Sequence, residues 1–265
     1  MRLYTVDAFT DVAFRGNPAA VCLLESPAPA AWMQAVAAEI GLSETAFLLD
    51  NSLRWFTPAV EVSLCGHATL ATAHVLFSTG AASGQLKFET AGGILSVNRT
   101  TDGMITMDFP AKEVTPATPP DGLAKALGVV PVQVSTAKDD LLVELESEEQ
   151  VRTLSPDITA LSHLAARAVI VTARGVSTDF VSRFFAPKGG VPEDPVTGSA
   201  HCALAPYWAP RLARTKMTAA QLSRRGGLIH VTLRGPRVDL AGHAITITSG
   251  HLHIQAPPPN DHLHI

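Results

Sequence analysis

Leu64-Cys65-Gly66-His67-Ala68-Thr69-Leu70 runs from a small-residue turn into an apolar stretch that ends near Phe77. It reads as a loop delivering polar groups to the N-terminus of a buried helix. Unpaired backbone N–H groups and the positive end of the helix dipole there can hold an anion without a lysine or arginine. Val196-Thr197-Gly198-Ser199-Ala200-His201 repeats the arrangement, again ahead of a helix-like run. Gly66 and Gly198 lie 132 residues apart, and Phe56-Thr57-Pro58 recurs as Phe185-Ala186-Pro187 at a distance of 129. Two features in the same order at almost one offset indicate a duplicated half.

Composition narrows the choice of function. With 265 residues, 46% of them hydrophobic, the chain can build one large or two medium cores, and the duplication favours two. The net charge is −4, and no basic run interleaved with aromatic residues is present, so nucleic acid is not an expected partner. No apolar run approaches the roughly 20 residues of a transmembrane helix, and Met1 to Asp7 lacks the apolar core of a signal peptide. Cytoplasmic residence and no membrane partner are the resulting expectations. Cys22, Cys65 and Cys202 do not form a disulfide framework.

Outward from the central turn, Leu3 to Phe9 and Ala19 to Leu24 read as strands flanking the loop Arg15-Gly16-Asn17-Pro18. Asn17 is open to two readings, a substrate-binding amide or plain turn chemistry. Trp32, Val36 and Ile40 have helical spacing, and Gly41 stands where a left-handed C-cap ends the helix. Glu44 falls at the mouth of the apolar strand Thr45 to Leu49. Partial desolvation there favours the protonated form and suits a general acid or base, whereas a solvated loop glutamate is the plainer alternative. Glu61 is read as an ion-pair partner rather than a catalyst. His67 is either a buried histidine satisfied by backbone or, at an anion-binding helix start, a functional one.

Val114-Thr115-Pro116-Ala117-Thr118-Pro119-Pro120-Asp121-Gly122 is the best linker in the sequence. It places the domain boundary between an N-terminal half, 1–115, and a C-terminal half, 116–265, with a loose tail after 255. Strands at Leu228 to Leu233, Arg237 to Leu240, Ala244 to Thr248 and His251 to Ile254 are expected to close the second half. In Glu193-Asp194-Pro195-Val196-Thr197-Gly198-Ser199, Pro195 fixes the loop, Asp194 is extended, and Ser199 has an N-cap role available to it. The pairs His251/His253 and His262/His264 lack a third ligand nearby, so no metal is expected. Rossmann, P-loop and nucleophile-elbow patterns are absent, which leaves no implied nucleotide cofactor. What remains is cofactor-free acid–base chemistry on a small carboxylate, with Glu44, His67 and Asp194 able to move or polarise protons.

Val6-Asp7-Ala8-Phe9, Arg15-Gly16-Asn17-Pro18, Glu44-Thr45-Ala46-Phe47, Cys65-Gly66-His67-Ala68-Thr69, Glu193 to Ala200 and Ser223-Arg224-Arg225-Gly226-Gly227 together resemble the phenazine-biosynthesis PhzF-like isomerases. The resemblance runs to about Ile254. It implies an α+β, diaminopimelate epimerase-like fold of two pseudo-symmetric halves, each a curved mixed β-sheet or barrel around a central helix, with the active site in the cleft between them. By the same resemblance Glu44 is the acid/base, and His67, Asp194 and Ser199 bind and polarise substrate. Gly66 and Gly198 offer backbone N–H groups, Asn17 joins the substrate-binding set, and a homodimer is typical. The related epimerases and racemases carry a cysteine at each helix start. Here Cys65 is matched by Thr197, a poor carbon base, which disfavours a two-thiol reaction. An epimerase using Cys65 with another base and a non-catalytic binding protein are the alternatives to the double-bond-shifting isomerase.

Overall fold

The structure, a computed structural model, describes residues 1–256. The chain divides into two compact units, Met1–Asp108 with the segment from Ala241 onward, and Phe109–Leu240.

The first unit contains β1 (Arg2–Ala8), β2 (Asn17–Leu23), α1 (Ala30–Ile40), β3 (Glu44–Leu49), β4 (Ser52–Phe56), β5 (Glu61–Val62), α2 (Gly66–Ser78), β6 (Leu86–Thr90), β7 (Gly93–Arg99) and β8 (Ile105–Pro110), whose last two residues pass into the second unit. β1 is antiparallel to β2, β2 parallel to β3, β3 antiparallel to β4, β4 parallel to β6, and β6 antiparallel to β7. The sheet is therefore mixed.

Phe109–Leu240 holds β9 (Thr115–Pro116), α3 (Leu123–Leu127), β10 (Gln133–Ala137), β11 (Asp140–Glu144), α4 (Glu148–Thr153), α5 (Ile158–His163), β12 (Ala168–Arg174), β13 (Phe180–Ala186), β14 (Val191–Asp194), α6 (Gly198–Leu212), β15 (Lys216–Gln221), β16 (Gly227–Arg234) and most of β17 (Arg237–Gly242). From β10 to β16 the pairings run antiparallel, parallel, antiparallel, parallel, antiparallel, the same order as from β1 to β7. The duplication read from two glycine turns is thus a duplication of the whole strand order.

Each sheet is covered on both faces. Trp32, Met33 and Val36 of α1 pack on Cys22, Phe47 and Phe56, while Val151 of α4 and Leu161 of α5 pack on Val143, Val169, Val181 and Phe185. The opposite face carries the central helix. α2 is buried from His67 through Ala73, as a helix enclosed on all sides must be, and α6 is buried from Ala200 to Ala205. Strands lying between two layers lose the alternation of a half-exposed strand: all residues of β12 from Ala168 to Ala173 are buried.

Two expectations need correction. The last strand, β18 (Ala244–His251), pairs along its length with β1, so the C-terminal segment belongs to the first unit rather than closing the second. No separate strand follows at His251 to Ile254, because β18 already runs through His251 and the chain then leaves the sheet. The proline-rich stretch 114–122 is not the boundary either. Thr115 and Pro116 pair with β10, and the division falls earlier, after Asp108. His262 and His264, and most of the tail expected to be loose, lie outside the described residues.

α6 carries Pro206 and Pro210 in its interior. A proline lacks the N–H that would close the turn onto the residue four back, so Pro206 frees the carbonyl of Cys202. The backbone N–H of Lys112 donates to that carbonyl at 2.9 Å, which lets the helix continue.

Candidate active site

In the first unit the structure brings Asn17, Glu44 and His67 together around the start of α2. Gly16 makes this possible. Its φ is +67°, and a Cβ there would lie 2.1 Å from the Ala8 carbonyl oxygen, so only glycine lets the chain turn this closely into β2. Asn17 is then the first residue of β2 rather than a loop residue, and it is fully buried. Its Nδ2 lies 3.3 Å from Nδ1 of His67.

Nε2 of His67 faces Oε2 of Glu44 at 3.2 Å. Neither atom has a well-aligned hydrogen-bond partner among the described residues, although both are buried. Glu44 opens β3, with its side chain 19% exposed, so the carboxyl group reaches the edge of the core rather than lying in it. Cys65 is the N-cap of α2, with Sγ 3.5 Å from the other ring nitrogen of His67. Burial, then the Glu44 carboxylate, pushes the Cys65 thiol up, which keeps it protonated near neutral pH. Burial by itself lowers the His67 imidazole, but Cys65 and Glu44 outweigh it and hold the group well above its ordinary value. Because the thiol stays neutral, the carboxylate is the charge that retains the proton.

Glu44, Cys65 and His67 each offer one donor atom within 4.8 Å of the others. The imidazole stands between the other two, Nδ1 toward sulfur and Nε2 toward the carboxylate. The three form a row more than a ring around one point. Glu61, expected to be an ion-pair partner, is one, bound to Arg54 through Nε at 2.7 Å and Nη2 at 2.8 Å.

The second unit places Asp194 at the end of β14 and starts α6 at Gly198. The N-cap is Thr197, so Ser199 lies inside the first turn and does not cap the helix; this corrects the N-cap role available to it in the sequence. Thr197 makes no capping bond; its hydroxyl donates to Oδ2 of Asp194 and accepts from Nε2 of Gln221. Neither α2 nor α6 has a side-chain cap or an acidic residue in its first turn. The amides at Gly66 and Gly198 thus start helices that carry no side-chain cap or acid in their own first turn.

Two residues of this region gave no signal in the sequence. Gln221, fully buried at the end of β15, accepts from the Thr197 N–H at 2.8 Å and donates to the Asp194 carbonyl at 2.7 Å and the Thr197 hydroxyl at 3.1 Å. Arg183 forms a bidentate pair with Glu193 at 2.6 and 2.9 Å and donates to the carbonyls of Val151 and Leu154, fixing the strand that ends in Asp194. Both act across 10 to 32 residues of chain, a span on which no local spacing rule operates.

His201 occupies the place in α6 that Thr69 holds in α2, and both side chains donate to the carbonyl of the N-cap residue, at 2.8 Å to Thr197 and 2.6 Å to Cys65. The ring of His201 stacks on Phe180, which stacks in turn on Trp208. Its Nε2 has no partner among the described residues, and burial pulls the imidazole down to about 4 against a smaller opposing effect of the Thr197 carbonyl.

Comparison with known proteins fixes the family. The family model described as phenazine biosynthesis-like protein matches residues 6–250. An uncharacterized isomerase of Pseudomonas aeruginosa is 51% identical over 259 residues, covering 96% of this chain and 99% of that one. An uncharacterized isomerase of Halalkalibacterium halodurans is 45% identical, covering 94% and 97%. Among solved structures, a PhzF-family phenazine biosynthesis protein of Enterococcus faecalis superposes with a TM-score of 0.92 at 42% identity, over 96% of this chain and 99% of that one. A hydroxyproline epimerase of Agrobacterium vitis shares the fold, with a TM-score of 0.61 at 11% identity. The chain belongs to the phenazine biosynthesis-like PhzC/PhzF family and is an isomerase of it.

Proposed function

We propose that this isomerase shifts a proton, and with it a double bond, within a small carboxylate-bearing metabolite, using Glu44 as the group that carries the proton. The observation behind this reading is the Glu44–His67 pair: two buried polar atoms 3.2 Å apart without aligned partners, beside an uncapped helix start. The substrate carboxylate is held by helix-start amides at Gly66 and Gly198, with Asn17, Asp194 and Ser199 completing the binding groups. Glu44 takes a proton from a carbon activated by the carboxylate or an adjacent unsaturated group. The electron pair left on carbon moves into the conjugated system, and charge developing on oxygen is met by the backbone N–H groups and the His67 Nε2–H. The same carboxyl group returns the proton to a different carbon. Proton and electron counts close with no other reactant.

An epimerase using Cys65 returns the proton to the carbon it left. The raised, protonated thiol and the replacement of a second cysteine by Thr197 argue for the isomerase. Incubation with a panel of small unsaturated and amino acids in D2O separates the readings by NMR. Deuterium at a new carbon is the expected result, deuterium at the original carbon with inversion supports the epimerase, and no incorporation in any acid overturns both. The homodimer implied by the family resemblance is part of this reading, and light scattering during gel filtration tests it.

A further inference from the structure

Asp194 and Thr197 border a short loop, Pro195-Val196, and the Thr197 hydroxyl donates to the Asp194 carboxylate across it. Gln221 bridges both ends from a neighbouring strand. All three of its bonds go to those two residues: Oε1 accepts from the Thr197 N–H, and Nε2 donates to the Asp194 carbonyl and to Oγ1 of Thr197. The amide cannot be turned over. Reversed, it would set its NH2 against the Thr197 N–H and its oxygen against the Asp194 carbonyl, donor on donor and acceptor on acceptor.

That orientation also fixes the hydroxyl. Since the amide nitrogen only donates, Oγ1 of Thr197 receives from Gln221 and gives its single proton to Oδ2 of Asp194. Ser223, two residues further along the same turn, donates from Oγ to the Pro195 carbonyl at 2.8 Å and is itself fixed by the Gly226 N–H at 3.1 Å. The Ser223-to-Gly227 motif, which the reaction itself leaves unused, thereby supports the loop from outside. We infer that Gln221 is the positioning residue of this half of the site, setting the Asp194 carboxylate and the first amides of α6 through Thr197. The inference rests on the proposed role of Asp194 and Gly198 in holding substrate, and its test separates the two.

The test has two readouts on the full-length chain. Amide hydrogen exchange needs no substrate: in Gln221→Leu the Thr197 amide should exchange roughly 100-fold faster, while the amides of α2 keep their wild-type rates. The second readout uses whichever acid the wild-type enzyme labels in D2O. Gln221→Leu and Thr197→Val should each lower kcat by about 10- to 100-fold with a smaller change in KM, and Thr197→Ser should stay near wild type because it keeps the hydroxyl. Unchanged exchange at Thr197, or a kcat in Gln221→Leu within about twofold of wild type, overturns the inference. If Gln221→Leu fails to fold, Thr197→Val and Thr197→Ser decide by the same criteria. If the wild type labels no acid, the proposed reaction falls, and hydrogen exchange alone decides whether Gln221 holds the loop.

Discussion

The starts of α2 and α6 have one backbone and two chemistries. Both are entered through an extended N-cap residue, both lack a side-chain cap, and in both the residue four beyond the N-cap bonds back to its carbonyl. The side chains differ. Cys65 lies against a histidine that faces a carboxylate; Thr197 has its hydroxyl proton committed to Asp194 and a lone pair committed to Gln221. Strand register extends the contrast. Ala19 pairs with Glu44 at the start of the parallel pair β2–β3, and Asp140 pairs with Ala168 at the start of β11–β12, so the second unit has alanine where the first has its acid. Duplication kept the uncapped helix start twice and left the carboxylate at this strand position in one copy.

The largest expected effect breaks that asymmetry at its source. Glu44→Gln should lower deuterium incorporation by at least about 100-fold while leaving the fold intact, measured by NMR on the acid that wild type labels. Exchange at the wild-type rate would remove Glu44 from the mechanism. Gly16→Ala attacks the same cluster through the backbone. The left-handed φ and the 2.1 Å approach to the Ala8 carbonyl predict a loss of about 3 kcal/mol or more in denaturant unfolding, together with displacement of Asn17.

The histidines of the two helices should titrate in opposite directions. His201 is held neutral down to about 4, below its unfolded value, so the stability it contributes is present above about pH 6.5 and is lost as pH falls toward 4. The full effect is roughly 3 kcal/mol and should vanish from the pH dependence of unfolding in His201→Gln. His67 is raised, so its contribution is complete below about pH 6.5 and is lost as pH rises through its folded-state value. Resonances of the two rings followed from pH 4 to 9 check both signs. The smallest effect is that of Thr197→Cys. It restores a thiol at the second helix start, but His201 there is held neutral with Nδ1 on the residue 197 carbonyl, and racemisation of amino acids should stay at background in a polarimetric assay.

Most of the fold was legible because it is written in local chemistry. Gly41 ends α1 with φ +68° as a left-handed C-cap, and the two glycine turns open α2 and α6. The strand that changes partners was not legible. β18 reads like any other strand after β17, and what places it beside β1 is pairing across more than 230 residues of chain, which periodicity cannot express. At the site, position at a strand mouth left Glu44 open to a plain solvated reading and the family resemblance singled it out, whereas the helix start drew attention to His67. The structure has Glu44 opening β3 and His67 in the first turn of α2, 3.2 Å apart. Asn17 did not stand out, since Gly-Asn-Pro makes a good turn whether or not the amide is buried against an imidazole. Gln221 and Arg183 act at a distance and leave no local mark.

The two prolines of α6 have a consequence for where this chain can be cut. A helix with Pro206 in its interior cannot complete its own hydrogen-bond ladder, and the missing donor arrives from Lys112, which precedes the proline-rich stretch. The Lys112 ammonium also lies 3.3 Å from the buried Asp140 carboxylate, beside Arg167 at 2.6 Å. A fragment begun at 116 would strand a buried carbonyl, at about 1–3 kcal/mol, and strip a counter-ion from a buried acid. The second compact unit starts at Phe109: of the five residues ahead of the proline-rich stretch, Lys112 completes the hydrogen bonding of a helix 90 residues downstream.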